Sequence, residues 1–250
     1  MNVFRLIGDG FRKIYSSNNI AIKHVWLLVL IGIVPVVFLY SLNFTNVVAA
    51  KNIRFLTALV ISIYLCGYNL ELVHNSFTEK DILPELGFNH FGLFFKALPL
   101  ILTWTFYIIT VSIVAGLLMA SKISLIIGLL LILVLVFVSS FLQFVFVEFS
   151  KNYDAKGLYG ILQPFKYVKT FGYLLLLGLL FIPIYIILSS IPAFIFGFVA
   201  GLLTGEDSNL VFYGGGFIGG YFGFIVGMVW NYCLVQVYKE KFEPMTAIRI

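Results

Sequence analysis

The sequence predicts an all-α fold, a polytopic membrane bundle of six transmembrane helices arranged as three hairpins, each introduced by an amphipathic elbow helix lying at the interface. Composition is the first reason. Of 250 residues 61% are hydrophobic and 11% charged, and the mean hydropathy is +1.05, whereas soluble domains are about half apolar and about a quarter charged. Patterning is the second. The apolar residues fall in runs of 18 or more with few or no charges, the length that crosses a hydrocarbon core about 30 Å thick. The runs are 25–43, 55–73, 97–120, 123–147, 173–203 and 210–237. The polar segments between them, 1–24, 74–96 and 148–172, are each too short to bury a core of their own. Residues 1–250 therefore read as a single integral membrane domain. The first run starts only near residue 25, and because the internal repeat counts it as structural it is read as a retained span rather than a secretory signal.

Orientation follows from the sixteen Lys and Arg residues. Six spans put Arg5, Arg12, Lys13, Lys23, Lys80, Lys96, Lys151, Lys156, Lys166, Lys169, Lys239, Lys241 and Arg249 on the side of the termini, and only Lys51, Arg54 and Lys122 on the other. The positive-inside rule then places both termini in the cytoplasm, which makes this a protein of the cytoplasmic (inner) membrane. The net charge of +5 suits segments that lie against an anionic leaflet. No basic groove or nucleic-acid motif is present, so nucleic acid is excluded as a partner.

An internal repeat underlies the spans. Pro84, Pro164 and Pro244 are 80 residues apart, and Phe91-Gly92 recurs as Phe171-Gly172. Upstream, spans end in Leu70-Glu71-Leu72, Val147-Glu148-Phe149 and Val235-Gln236-Val237, with Asn75 and Asn152 following the first two. Approximate units are 1–76, 77–155 and 156–238. Each starts with an elbow: Phe4, Ile7, Phe11 and Ile14 with Arg5, Arg12 and Lys13; Ile82, Leu83, Leu86, Phe88, Phe91 and Phe94 with Asp81, Glu85 and Lys96; then Leu158, Ile161, Phe165 and Phe171 with Lys156, Lys166 and Lys169. Helical spacing with Lys on the polar side predicts interfacial helices that contact anionic lipid.

The segment from Gly67-Tyr68 and Leu70, through Glu79, Lys80 and Asp81, to Leu83-Pro84-Glu85 resembles the DUF4013 family of prokaryotic multi-pass membrane proteins, over about residues 5–238. Where that family carries an acidic, Trp-rich run, this chain has Leu86-Gly-Phe-Asn-His90. A fainter similarity is to the membrane domains of some glycerophosphodiesterases. The resemblance implies an architecture and no catalytic residues.

Few residues invite a site. Glu71 and Glu148 hold equivalent repeat positions, with Gln236 in the third, and an ionisable group near membrane depth invites a functional reading. The structural alternative is that each carboxylate anchors its span end, accepting free N–H groups of the following elbow or pairing with Lys80 or Lys151. His24, His74 and His90 lack metal-ligand spacing, and Cys66 and Cys233 form no CxxC. No cofactor is expected. Ser189 and Ser190 sit between Pro183 and Pro192 in the long fifth run, which reads as a kink whose hydroxyls take up carbonyls freed by proline, or as the broken helix of a transporter or channel.

Gly214, Gly216 and Gly219 spell G-x-G-x-x-G, but a dinucleotide loop needs a preceding strand and an acidic residue about 20 positions on, all in water. The same stretch supplies a small-xxx-small face of Gly215, Gly219, Gly223 and Gly227, with Asn231 next in line to hydrogen-bond across it. That face predicts close packing of the sixth span on another span or on a second copy. With no catalytic constellation in view, the sequence points away from an enzyme. It points to a scaffold or accessory subunit that contacts membrane lipids, a partner membrane protein or a homodimeric partner, with transport through the fifth span as the alternative.

Overall fold

The computed structural model describes residues 2–78, 81–85, 91–120, 143, 145–154, 156–158, 168–204 and 209–241. Among them every regular element is helical. The chain runs through α1 (Val3–Tyr15), α2 (Ile20–Ser41), α3 (Val47–Thr78), α4 (Gly92–Ala120), α5 (145–152), α6 (Val168–Thr204) and α7 (Asn209–Lys241). Five of these hold stretches long and apolar enough to cross a membrane: Ile20–Ser41, Val47–Thr78, Gly92–Thr110, Leu177–Leu203 and Val211–Glu240. The chain is thus a helical integral membrane protein. The predicted fourth span, 123–147, lies outside the described residues except for its last few.

Helix α1 forms where the sequence provides both a cap and two faces. The Asn2 side chain accepts from the backbone N–H groups of Phe4 and Arg5 at 3.0 and 3.4 Å, and Arg12 and Lys13 occupy the last turn, where cations suit the helix dipole. Leu6, Ile7, Gly10 and Ile14 are buried, whereas Phe4 is 72% exposed. The buried face docks on α7 at Gly10, where an added Cβ would lie 2.9 Å from Val229 and 3.3 Å from the Tyr232 ring. Asn19 then takes the left-handed conformation (φ 54°) that joins α1 to α2, a geometry Asn tolerates better than most residues.

Helices α2 and α3 form a hairpin around Asn46, whose side chain accepts from the N–H groups of Val48 and Ala49 at 3.0 Å each. Arg54 closes the turn by donating to the Ser41 hydroxyl and lying 5.4 Å from the Phe38 ring. With 32 residues, α3 is about 48 Å long at 1.5 Å per residue and exceeds the hydrocarbon thickness. Val25, Val29 and Val36 on α2, and Leu102, Phe106 and Ile113 on α4, are exposed along one side of each helix, an arrangement that only an apolar solvent allows. Helix α7 is the hub. It runs beside α6 and also packs on α1, α2 and α3, and most of its residues from Gly223 to Tyr238 are buried.

Three expectations change. The predicted spans end too early: α3 begins at Val47, takes Lys51 and Arg54 into the helix and continues to Thr78, because charged side chains at a span end reach the interface without breaking the helix. The second elbow is not helical at its start, residues 81–85, while Phe94 and Lys96 at its end belong to α4 and residues 86–90 lie outside the described residues. Residues 81–85 are non-helical, with Ile82 and Leu83 buried in the core, since the residue preceding Pro84 disfavours the α region and Asp81 is held by α2. The fifth span is unbroken as well. Helix α6 continues through both Pro183 and Pro192, and the Ser189 hydroxyl donates to the Tyr185 carbonyl at 2.6 Å rather than to the Leu188 carbonyl that Pro192 leaves free. Of the third elbow, Lys156 lies in a short 3-10 turn, residues 159–167 are outside the described residues, and Val168 already belongs to α6.

Candidate functional site

The described polar side chains gather in two places, one at the end of the bundle where α1 docks and one in its interior. At the α1 end, Glu71 of α3 accepts from Lys96 of α4 at 2.5 Å and from the Tyr153 hydroxyl at 2.5 Å. The Lys96 ammonium also lies 4.7 Å from the centre of the Tyr153 ring. His74, one turn below Glu71, packs on that ring at 5.1 Å and turns Nδ1 toward the Ser150 and Lys151 carbonyls at 3.1 Å. Burial, then the hydrogen bond to Glu71 and its charge, push the Tyr153 hydroxyl well above the usual phenol range. It therefore remains a donor.

Glu148 of α5 accepts from the Tyr238 hydroxyl of α7, and the Lys151 ammonium lies 5.6 and 5.8 Å from the Phe77 and Tyr238 rings. Gln236 lines a groove of about 560 Å³ with Arg5, Asp9, Lys239 and Glu240. Each of these three positions thus faces a different helix end: α3 meets the residue after α5, α5 meets α7, and α7 meets α1. The sequence suggested Lys80 or Lys151 as partners; Lys80 lies outside the described residues, and the bonds above come from Lys96, Tyr153 and Tyr238. Lys96 and the two tyrosines lie 25, 82 and 90 residues from their carboxylates, a separation that local spacing cannot signal.

A second polar cluster was not anticipated. Lys23, in the first turn of α2, is 5% exposed, and its ammonium donates to Asp81 at 2.8 Å, to the Leu83 carbonyl at 2.6 Å and to the Ser17 hydroxyl at 3.2 Å. Asp81 also accepts from the Ser17 hydroxyl and from the Asn18 N–H. All three ammonium donors are satisfied, the condition under which a buried lysine is tolerated. Burial alone would raise the Asp81 carboxyl, but the hydrogen bonds from Lys23 and Ser17, the Lys23 charge and the Asn18 N–H outweigh it and hold the carboxyl below its ordinary value. The signal in the sequence is a lysine at the mouth of an apolar run and an aspartate three residues before a proline.

In the interior, Asn231 of α7 donates to the Asn69 carbonyl oxygen of α3 at 2.9 Å, and Asn69 donates back to the Leu65 carbonyl at 3.1 Å. Gly215, Gly219 and Gly223 face α6: added Cβ atoms there would lie 3.4 Å from the Ala193 carbonyl, 3.2 Å from the Ser189 carbonyl and 2.9 Å from the Tyr185 hydroxyl. Gly227 meets nothing within 4 Å. Asn231 hence bonds across a different interface from the glycines. A step of four residues turns the face by roughly 40° on a 3.6-residue helix, so the two steps from Gly223 to Asn231 turn it by about 80°, from α6 round to α3.

Two cavities adjoin these contacts. One of about 700 Å³ lies among α2, α3, α6 and α7, lined by Pro35, Phe38, Ser189, Ala193 and Gly219 among others. The other, about 470 Å³, lies among α3, α4, α5 and α7, lined by Cys66, Asn69, Trp104, Gln143, Trp230 and Asn231 among others. Lys156 is exposed, Lys166 lies outside the described residues, and Lys169 falls in the first turn of α6 with its side chain outside them. Cys66 and Cys233 are free thiols, and among the described residues no group of three His, Cys, Asp or Glu could hold a metal ion. His24 turns Nδ1 to the Tyr221 hydroxyl at 2.6 Å. No family model matches the chain, and no curated protein or solved structure matches it either.

Proposed function

We propose that this chain is a non-catalytic protein of the cytoplasmic membrane, a scaffold or accessory subunit that holds lipid in and around its bundle, with both termini cytoplasmic. The observation that carries this reading is the 700 Å³ cavity among α2, α3, α6 and α7. Its volume falls in the range of small-molecule sites, about 300–1,000 Å³, and its walls are mainly apolar. The carboxylates that a transporter would use, Glu71 and Glu148, are instead bonded to Lys96, Tyr153 and Tyr238.

Lipid retained through purification in mild detergent, identified by mass spectrometry, tests the reading. Lys156→Gln, Lys166→Gln and Lys169→Gln together should lower the anionic lipid retained, and an unchanged lipid complement counts against the proposal. Solute flux in proteoliposomes that disappears in folded Glu148→Gln would replace it with transport. Orientation is checked by labelling single cysteines in a background lacking Cys66 and Cys233: one at Thr45 should react from outside the cell and one at Asn152 from inside.

A further inference from the structure

The 700 Å³ space among α2, α3, α6 and α7 is open to its surroundings, because Ser62, Phe212, Gly216 and Gly220 of its lining are exposed. It is a groove. Its outer end lies at Phe38 and Phe212, each about one turn inside the end of its helix at Ser41 or Asn209. From Phe212 to Gly220 it runs about 12 Å at 1.5 Å per residue, against about 15 Å for one leaflet of a 30 Å hydrocarbon core. The groove thus occupies one leaflet, the one at the α2–α3 turn.

Two of its walls continue outward to polar side chains. On α2, Ile31, Pro35, Phe38 and Ser41 follow at i, i+4, i+7 and i+10, and on α3, Arg54, Ile61 and Leu65 follow at i, i+7 and i+11. Each set shares one helix face, so Ser41 and Arg54 stand at the mouth of the groove. They also hold each other. The Arg54 guanidinium donates to the Ser41 hydroxyl and lies 5.4 Å from the centre of the Phe38 ring, which is itself groove wall. Lys51, one turn further out on α3, is exposed.

We propose that this groove seats one acyl chain of a phospholipid from the leaflet at the α2–α3 turn, with the lipid phosphate on Arg54 and Lys51 beside it. The inference rests on the lipid-holding reading above and gives the lipid its leaflet, its orientation and its head contact. Charge chooses the occupant. An apolar groove alone would take any chain, but a guanidinium at its mouth favours a chain that hangs from a fixed anion. A phosphate suits the planar fork, accepting two N–H groups at once. The bond to Ser41 uses one of the five guanidinium donors and fixes the position of the group.

The test titrates the full chain, purified in mild detergent, with dioleoylphosphatidylglycerol, dioleoylglycerol or oleate, and counts bound lipid by native mass spectrometry. The probes share the oleoyl chain, and only the first carries phosphate. Saturable uptake of a single phosphatidylglycerol, ahead of the other two, is expected. Arg54→Gln should weaken it roughly tenfold, as the loss of a charge-assisted hydrogen bond would. Gly216→Phe should abolish it: Gly216 lines the groove and an added Cβ there meets nothing within 4 Å, so the ring enters the groove without forcing helices apart. Both variants are checked for unchanged thermal unfolding. Unchanged uptake in either folded variant overturns the site, and so does dioleoylglycerol or oleate bound as tightly as phosphatidylglycerol by the parent. Anionic lipid lost only from the Lys156, Lys166 and Lys169 triple variant likewise overturns it, while leaving the lipid-holding function in place. Retention of no lipid of any class removes both.

Discussion

The two ends of the bundle are held by different forces. At the α1 end, side chains from different elements bond to one another: Glu71 with Lys96 and Tyr153, Glu148 with Tyr238, Lys23 with Asp81, and Lys239 with the Ser76 carbonyl. The apolar residues between them, such as Tyr68, Leu72, Val145 and Val235, are fully buried. Toward the α2–α3 turn, Arg54 on Ser41 apart, helices meet backbone to backbone, with Gly215 and Gly219 on the Ala193 and Ser189 carbonyls. There Leu202, Leu203 and Phe212 are more than 70% exposed. Lipid gives helices no hydrophobic reason to associate, so small residues and dispersion have to suffice in that half. Near the interface, water and charge allow ion pairs and caps. A tightly bonded platform thus supports a half with room in it, and the larger cavity lies in that half.

Breaking the platform should cost most. Lys23→Met leaves Asp81 facing Ser17 and the Asn18 N–H without a counter-charge, and removing one partner of a buried pair costs on the order of 3 kcal/mol. Thermal unfolding of the detergent-solubilised protein should shift down accordingly, and Asp81→Asn in the same chain should restore part of the loss, because the uncompensated charge is then gone. A double variant no more stable than Lys23→Met would show that the ion pair is not what joins α2 to residues 81–85.

Next come the close approaches, one in each half. A Cβ at Gly67 would fall on the backbone of Leu93, which cannot swing aside as a side chain can. Gly67→Ala should therefore force α3 and α4 apart, at about 1–3 kcal/mol, the usual range for overpacking. Gly219→Ile should act similarly on α6 and α7. Gly227→Ala is the control: with nothing within 4 Å, it should be neutral or stabilise by up to about 1 kcal/mol through helix propensity. Equal unfolding temperatures for Gly67→Ala and Gly227→Ala would contradict the α3–α4 contact.

What could be read from the sequence divides along the same line. Apolar runs and glycine spacing are local signals, and the five candidate membrane-crossing helices correspond to runs visible in composition alone. Span ends were less legible, because Lys51 and Arg54 read as a boundary although a helix carries them easily. At residues 81–85 the second elbow departs from a helix, because the spacing of Ile82 and Leu83 is equally consistent with a non-helical segment pressed into the core. Lys23, Tyr153 and Tyr238 were invisible as partners, since pairing across 58, 82 and 90 residues depends on helix packing rather than spacing. Asn231 was legible as an interhelical donor, but its direction was misjudged because four-residue steps drift around the helix.

The Lys23–Asp81 pair also gives the platform a pH dependence that the glycine-packed half lacks. The Asp81 carboxyl is held below its ordinary value in the folded chain. Its stabilising contribution is accordingly complete above the unfolded carboxyl range, near pH 4, and is lost as pH falls through the lower folded value. Unfolding temperature followed from pH 7 down to pH 3 should fall less steeply for Asp81→Asn than for the parent. Parallel profiles would mean that this carboxylate does not carry the acid sensitivity.

The smallest effect is expected where a bond can be kept without its charge. In Glu148→Gln the side-chain carbonyl oxygen still reaches the Tyr238 hydroxyl, so only the charge assistance is lost, and the change in stability should stay under about 1 kcal/mol. Glu148→Leu removes the acceptor and leaves the Tyr238 hydroxyl to find another, which should cost about 1–2 kcal/mol more. If Gln and Leu at position 148 unfold at the same temperature, the α5–α7 bond contributes nothing, and packing alone holds the platform together at that corner.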